Sequence, residues 1–272
     1  MKTINLNLGG YKIIQDTNRS PTQMMSYRIY TPDGDLVVID GGNAAEEPFL
    51  RENIMAHGGR VAVWIVTHCH SDHYGALAEI LERPQGLSID ALVWNFPPVE
   101  WLNRAEAQYA ADTARICGLL DAWQGFAVKP TEKTRLKIGG LDIEFLRDPY
   151  GGTEVGVGIN YSSLVFKMRF PTGTEILFLG DLDYAAGETL ADRYREALKS
   201  DAVQMAHHGQ NGVGERVYGY ARPSVCLWPT PDWLYDNLGG TGPYKTLETR
   251  AWMEGLGVRE HATEADGDVL IV

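Results

Sequence analysis

Three histidines and an aspartate stand within the six positions His68-Cys69-His70-Ser71-Asp72-His73. Neutral imidazole nitrogens and carboxylate oxygens at this density suit zinc, iron or manganese. A structural zinc site seldom takes four such groups from one loop and leans on cysteine, of which the run has only Cys69. The competing reading, a solvated His-rich turn, loses ground because the cluster has partners further along the chain.

Elements that could position these groups flank them. Val61 to Val66 is apolar and reads as a buried strand, and Tyr74 to Leu81 reads as a helix, so the cluster is expected on a strand-to-helix loop at a sheet edge. Thr31-Pro32-Asp33-Gly34-Asp35, Gly139-Gly140 and Pro171-Thr172-Gly173-Thr174 each separate two strand-like runs and predict hairpins. Helices are expected over Asn43 to His57, Trp101 to Trp123, Ala185 to Lys199 and Lys245 to Gly255, with further strands at Ile4 to Leu8, Ala202 to Ala206, Ser224 to Trp228 and Val269 to Val272. Strands joined by hairpins and alternating with strand–helix units suit two sheets covered by outer helices.

The chain has 272 residues, 44% of them apolar, enough for one large domain, 1–272, with a helical insert at about 95–135. Its 36 acidic and 24 basic residues give a formal charge of −12, and no Lys/Arg run appears, so long nucleic acid is disfavoured and a small-molecule substrate is expected. The three cysteines, Cys69, Cys117 and Cys226, show no paired spacing, which points to a reducing, cytoplasmic compartment. No apolar run approaches membrane-spanning length, and no membrane contact is expected. Oligomeric state is left open.

His68-Cys69-His70-Ser71-Asp72-His73 resembles the His-x-His-x-Asp-His signature of the metallo-β-lactamase superfamily. Val37-Val38-Ile39-Asp40-Gly41-Gly42, Phe178-Leu179-Gly180-Asp181 and Met205-Ala206-His207-His208-Gly209 resemble the family's other motifs, in the same order. A nearer similarity is to the hydrolase domain of bacterial competence DNA-uptake channel proteins and their soluble relatives. It rests on Asn160-Tyr161-Ser162-Ser163-Leu164-Val165, Gly180-Asp181, His207-His208-Gly209, Gly242-Pro243 and Asp266-Gly267-Asp268. The resemblance runs from about Ser26 to Val272, and about Asn95 to Arg135 carries no motif.

The resemblance implies an α/β (α+β) fold, the αββα sandwich, with two mixed β-sheets packed face to face and helices outside. It also implies two divalent ions, zinc first, with manganese or iron as alternatives. One ion falls to His68 and His70, the other to Asp72, His73 and a histidine of the 207–208 pair, and Asp181 bridges both. Alternation along a loop that continues a strand lets His68 and His70 share one ion. His207 is expected to be the ligand of its pair, with His208 behind it or on a substrate phosphate. Asp40 is expected to orient the motif loop. Asn160 stands where most relatives have a further histidine, which implies a weaker first site. Asp72, His208 and Asn160 are the residues expected to serve the reaction itself. Thr241-Gly242-Pro243-Tyr244 departs from a Gly-His-Pro pattern and leaves Tyr244 and Lys245 as nearby polar groups.

The implied activity is metal-dependent hydrolysis by a hydroxide bridging the metals, with phosphoesters (phosphodiesterase-like) as the leading substrate class. Lactone, thioester or β-lactam hydrolysis is the alternative, and a non-catalytic, metal-retaining regulatory module is the rival of another class. Trp94, Phe96, Trp101, Trp228 and Trp233 are expected either to wall the substrate or to pack the core.

Overall fold

In the computed structural model, which describes residues 1–151 and 156–272, the strands form two sheets. The first holds β1 (Lys2–Ile4), β2 (Lys12–Gln15), β3 (Ser26–Tyr30), β4 (Leu36–Asp40), β5 (Arg60–Ile65), β6 (Ser88–Val93) and β7 (Phe126–Val128). The second holds β8 (Arg135–Ile138), β9 (Leu141–Phe145), β10 (Phe166–Arg169), β11 (Glu175–Phe178), β12 (Ala202–Gln204), β13 (Val225–Leu227) and β14 (Glu260–Ala262). The last strand, β15 (Val269–Ile271), returns to the first sheet between β1 and β2.

Each sheet is part antiparallel and part parallel. β2, β3 and β4 run antiparallel, then β4 to β7 parallel. In the second sheet β8 to β11 are antiparallel and β11 to β14 parallel. Parallel strands bring the chain back to one edge after every crossover, so the carboxyl ends of β4, β5, β11 and β12 deliver their loops to a shared rim.

Helices cover both outer faces: α1 (Glu47–Ala56), α2 (Ser71–Glu82), α3 (Val99–Ala105), α4 (Ala110–Ala122), α5 (Tyr184–Tyr194), α6 (Glu215–Ala221), the short α7 (Asp232–Tyr235) and α8 (Asn237–Gly240), and α9 (Thr246–Gly255). Between the sheets lies an apolar core with Ile39, Val63 and Ile65 on one side and Phe145, Phe166 and Phe178 on the other. Leu50, Leu77, Leu102 and Ile116 of α1 to α4 bury the outer face of the first sheet against Val38 and Trp64. Leu190, Val217 and Met253 of α5, α6 and α9 bury that of the second. This is the αββα sandwich with two mixed sheets.

The region 95–135 differs from a plain helical insert. The single helix expected over 101–123 is two, α3 and α4, because Glu106 is extended (φ −148°, ψ 80°) and a 3-10 turn over Ala107–Tyr109 follows it. Its end, β7, pairs in parallel with β6 as the sheet's outermost strand. Trp94 and Trp101 are buried against the first sheet and Trp228 against the second, so they are core and wall no substrate cleft. Cys69 and Cys117 share the cluster over the first sheet, and Cys226 lies in that over the second. His261 is half-buried and accepts the Trp228 indole N–H at 3.0 Å. Among the described residues no helix is long and apolar enough to cross a membrane.

Candidate metal centre

The rim is assembled from strand ends that leave regular geometry at once. β4 closes on Asp40 in the left-handed region (φ 61°), which turns its carboxylate under the next loop. β5 runs into Thr67 and His68, and α2 begins at Ser71, so His70 is the residue before a helix and His73 lies in its first turn. β11 leads to Gly180 (φ 55°) and Asp181, where a Cβ at Gly180 would approach Ser163 and Thr67 to 3.2 Å. β12 ends at Gln204, and His207 and His208 both adopt φ above 50°. Two successive non-glycine residues in this region carry strain, and such strain gathers at functional sites.

These loops bring seven groups together. Asp72, His73, Asp181 and His208 each offer an atom within 4.8 Å of all the others. Asp181 Oδ2 lies 3.2 Å from His73 Nε2, 3.3 Å from His208 Nε2, 3.9 Å from His68 Nε2 and 4.0 Å from His207 Nε2. Asp72 Oδ2 is 3.2 Å from His208 Nε2. Beside this group, His68 Nε2 and His70 Nδ1 face each other at 3.1 Å.

The outer nitrogens of the rings are tied back. His208 Nδ1 lies 2.7 Å from the Pro229 carbonyl oxygen, which can only accept, so Nδ1 carries the proton and Nε2 presents a lone pair inward. His73 Nδ1 donates to Asp40 Oδ2 at 2.7 Å. Thr67 Oγ1 donates to the same carboxylate at 2.9 Å and so accepts from His68 Nδ1 at 3.1 Å. Asp40 Oδ1 also accepts the Thr67 N–H at 2.7 Å. Partners of this kind fix tautomer and ring orientation in metal sites.

Left to itself the inner surface is poorly satisfied. His73 Nε2, His208 Nε2, Asp181 Oδ1 and Asn160 Oδ1 are buried without a hydrogen-bond partner. Such atoms cost free energy unless something completes them. A divalent cation completes them: inward lone pairs and two carboxylates match its donor preferences. The residues present therefore fit two ions, one at Asp72, His73, Asp181 and His208, the other at His68 and His70 with Asp181 between.

Without a cation the two carboxylates favour protons on these same inward nitrogens, protons that a bound ion would displace. Burial opposes ionisation of Asp181, but His208 and His73 outweigh it and hold the carboxyl well below the usual range. Asp72 behaves likewise, with His73 and His208 overcoming burial. Burial works against a charged His73, yet Asp181, Asp40 and Asp72 raise it well above the usual imidazole value. His208 is pushed up to about 10 by Asp181 and Asp72 against its burial. Burial, with His73 beside it, drives His68 well below.

The geometry reverses the order expected within the histidine pair. The expectation of His207 would hold if β12 ran on in extended form through the pair. The chain instead enters a left-handed turn, which sends His208 into the centre and leaves His207 half-buried at the mouth. His207 Nε2 lies 3.2 Å from Asn160 Nδ2. Asn160 comes from the 3-10 turn Ile159–Ser162 before β10. Tyr244 and Lys245 do not reach the mouth: the Tyr244 ring packs edge-on against Trp233, and Lys245 lines a separate cavity with Glu248 and Trp252.

A cavity of about 440 Å³ opens over the centre, lined by Thr22, Gln23, Asn43, Ser71, Tyr109 and Asn160 together with His70, Asp72, Glu106, Asp181 and His207. Motif spacing gives no sign of Gln23, whose amide donates to Asp72 Oδ2 at 3.2 Å, of Glu106, at 3.1 Å from His70 Nε2, or of Tyr109, whose ring lies edge-on 5.2 Å from that of His70. Burial opposes the charge on Glu106, but His70 and the Ile159 N–H outweigh it and hold its carboxyl below the usual range. No lysine or arginine lines this cavity among the described residues.

A sequence model of the metallo-β-lactamase superfamily matches residues 20–155, half of the chain. The chain belongs to the metallo-β-lactamase superfamily. It is thereby a metal-dependent enzyme of that fold. Solved structures agree on the fold. A metallo-β-lactamase fold protein of Bacillus subtilis, YhfI, is 12% identical, with 85% of this chain and 91% of that one covered and a TM-score of 0.53. A B3 metallo-β-lactamase with an active-site glutamic acid is 18% identical over 90% of each chain, TM-score 0.51. CmlA, a diiron β-hydroxylase from Streptomyces venezuelae, is 9% identical, TM-score 0.53, over 96% of this chain but only 52% of its own. A search of curated protein sequences finds no match.

Proposed function

We propose that this enzyme hydrolyses small phosphoesters, phosphodiesters foremost. The observation that carries the reading is the position of Asp181: one buried carboxylate oxygen stands within 4.0 Å of four histidine nitrogens, between two groups of inward lone pairs. Two bound divalent ions would supply a nucleophilic water at neutral pH and neutralise charge on both the attacking and leaving oxygens. The chain contributes placement. Asp40, Thr67 and the Pro229 carbonyl hold three rings in the ligand tautomer. Gln23, itself held by the Gln210 amide at 3.0 Å, orients Asp72. Asn160 has an amide N–H beyond the one aimed at His207 to offer a substrate oxygen. His207 stands at the mouth, where a leaving group would depart. No serine or cysteine nucleophile is called on.

A phosphoester brings negative charge into a cavity whose protein lining is acidic or neutral, so its charge compensation rests on the ions. That same lining favours a second reading, hydrolysis of neutral lactones, thioesters or β-lactams. Protein reconstituted with zinc or manganese and given bis-p-nitrophenyl phosphate beside a lactone, a thioester and a β-lactam decides between them. Turnover of the phosphodiester above the others is expected. Hydrolysis of a carbonyl substrate with the phosphoesters untouched overturns the reading in favour of the second.

A further inference from the structure

Three of the four rings in the centre have an identified partner on the outer nitrogen: Thr67 for His68, Asp40 for His73, the Pro229 carbonyl for His208. His70 differs in using Nδ1 inward, toward His68 Nε2 at 3.1 Å, so its outer atom is Nε2. That atom lies 3.1 Å from Glu106 Oε2. The other oxygen of the same carboxylate, Oε1, accepts the Ile159 N–H at 2.8 Å, at the start of the turn that carries Asn160.

We propose that Glu106 is a positioning residue for the metal centre: its carboxylate accepts a hydrogen bond from the Nε2–H of His70, which keeps Nδ1 free toward His68, and its second oxygen moors the turn bearing Asn160. Two features of the chain are otherwise without purpose. The helical segment from Val99 to Ala122 breaks at Glu106, which is extended with no glycine or proline to cause it, and the break is what lets the side chain reach the rim. Gly158 has an ordinary φ of −83°, so no backbone conformation requires glycine there, but a Cβ would lie 2.6 Å from Glu106 Oε1. The 95–135 region thus supplies the outer hydrogen bond that the motif loops lack for His70. The inference rests on reading His68 and His70 as ligands of one ion.

The test uses the full chain with Glu106→Ala, Glu106→Gln and Gly158→Ala. One readout is the His70 tautomer in metal-free protein, by ¹⁵N-histidine NMR. The other is the affinity of each zinc ion, by competition with a chromophoric chelator. In the parent, His70 is expected with its proton on Nε2. In Glu106→Ala the Nδ1–H tautomer should appear and the weaker ion should lose about 10–100-fold in affinity, the range for lost outer hydrogen bonds, while the other ion is held as before. Glu106→Gln keeps one acceptor and should fall between. Gly158→Ala, which displaces the carboxylate without removing it, should weaken the same ion. These two variants carry the test if Glu106→Ala fails to fold. A parent His70 protonated on Nδ1, or variants with unchanged tautomer or unchanged zinc affinity, overturns the proposal. Neither readout involves turnover, so an enzyme inert toward phosphoesters leaves it standing.

Discussion

At the scale of single residues the decisive feature is the left-handed turn at His207 and His208, because it chooses which ring enters the centre. His208 is buried with Nε2 among Asp72 and Asp181, while His207 sits at the mouth beside Asn160. Elemental analysis of the two alanine variants separates their roles. His208→Ala should lose the ion held with Asp72 and His73 and retain the other. His207→Ala should keep that ion and change the kinetics instead. Asp181→Ala should lose both, since its carboxylate stands between the two groups. Full metal retention in Asp181→Ala would sink the two-ion assignment. That these imidazoles and carboxylates would converge on one rim was legible, because such groups at a strand end have few other uses. The order of the pair was not, because no spacing rule announces two successive positive-φ histidines. Gly209 was the available hint: at φ 75°, and with Trp228 where a Cβ would be, it must be glycine, which marks a tight turn rather than a strand.

At the scale of elements, both sheets and most helices follow from apolar periodicity and glycine-containing turns. Gly139 and Gly140, at φ 51° and 86°, make the two-residue hairpin that their pairing suggests. The break between α3 and α4 left no trace in sequence, since Glu106 is an ordinary helix former and its extended state is imposed by what it reaches. Two stability predictions belong here. Asp16, just beyond β2, pairs with Arg28 of β3 through Nη2–Oδ1 at 2.6 Å, with both side chains buried. Asp16→Ala strands a buried guanidinium and should cost about 3–5 kcal/mol in urea unfolding. Glu264 lies in the 3-10 turn between β14 and β15, facing His208, Glu46 and Asp232, and burial pushes its carboxyl up to about 8 from 4.5. The folded state then keeps a proton that the unfolded chain has released. That contribution is whole below about pH 4.5 and is lost as pH rises through about 8. At about 1.4 kcal/mol per unit the loss is at most about 4–5 kcal/mol. Glu264→Gln should therefore unfold at higher temperature than the parent at pH 8 and show a flatter stability profile between pH 5 and 8. A profile identical to the parent's counts against a protonated Glu264.

At the scale of the whole molecule, charge and the cavity's composition set what can approach. The formal charge is −12, and the mouth presents Thr22, Gln23, Asn43 and Tyr109 with no cationic side chain among the described residues. Duplex DNA draws its affinity from lysines and arginines that displace counterions, each adding to the salt dependence. Three of the surface arginines are engaged by carboxylates: Arg216 with Glu188 and Asp192, Arg115 with Glu79 and Glu82, Arg60 with Asp35 and Asp90. A small ester needs only the ions, a few amide and hydroxyl donors, and the Tyr109 ring for its apolar part. With manganese or zinc at moderate salt, small phosphodiesters or monoesters should be cleaved faster than long DNA. Tyr109→Ala should raise KM for aryl esters more than it lowers kcat, because the ring lines the cavity and would meet the substrate's body rather than the reacting atoms. Steady-state kinetics, beside DNA binding measured at two salt concentrations, checks both expectations. Micromolar duplex binding with a steep salt slope, and small esters untouched, would show that scattered basic residues assemble a groove outside this mouth and that the acidic balance of the chain does not govern its substrate.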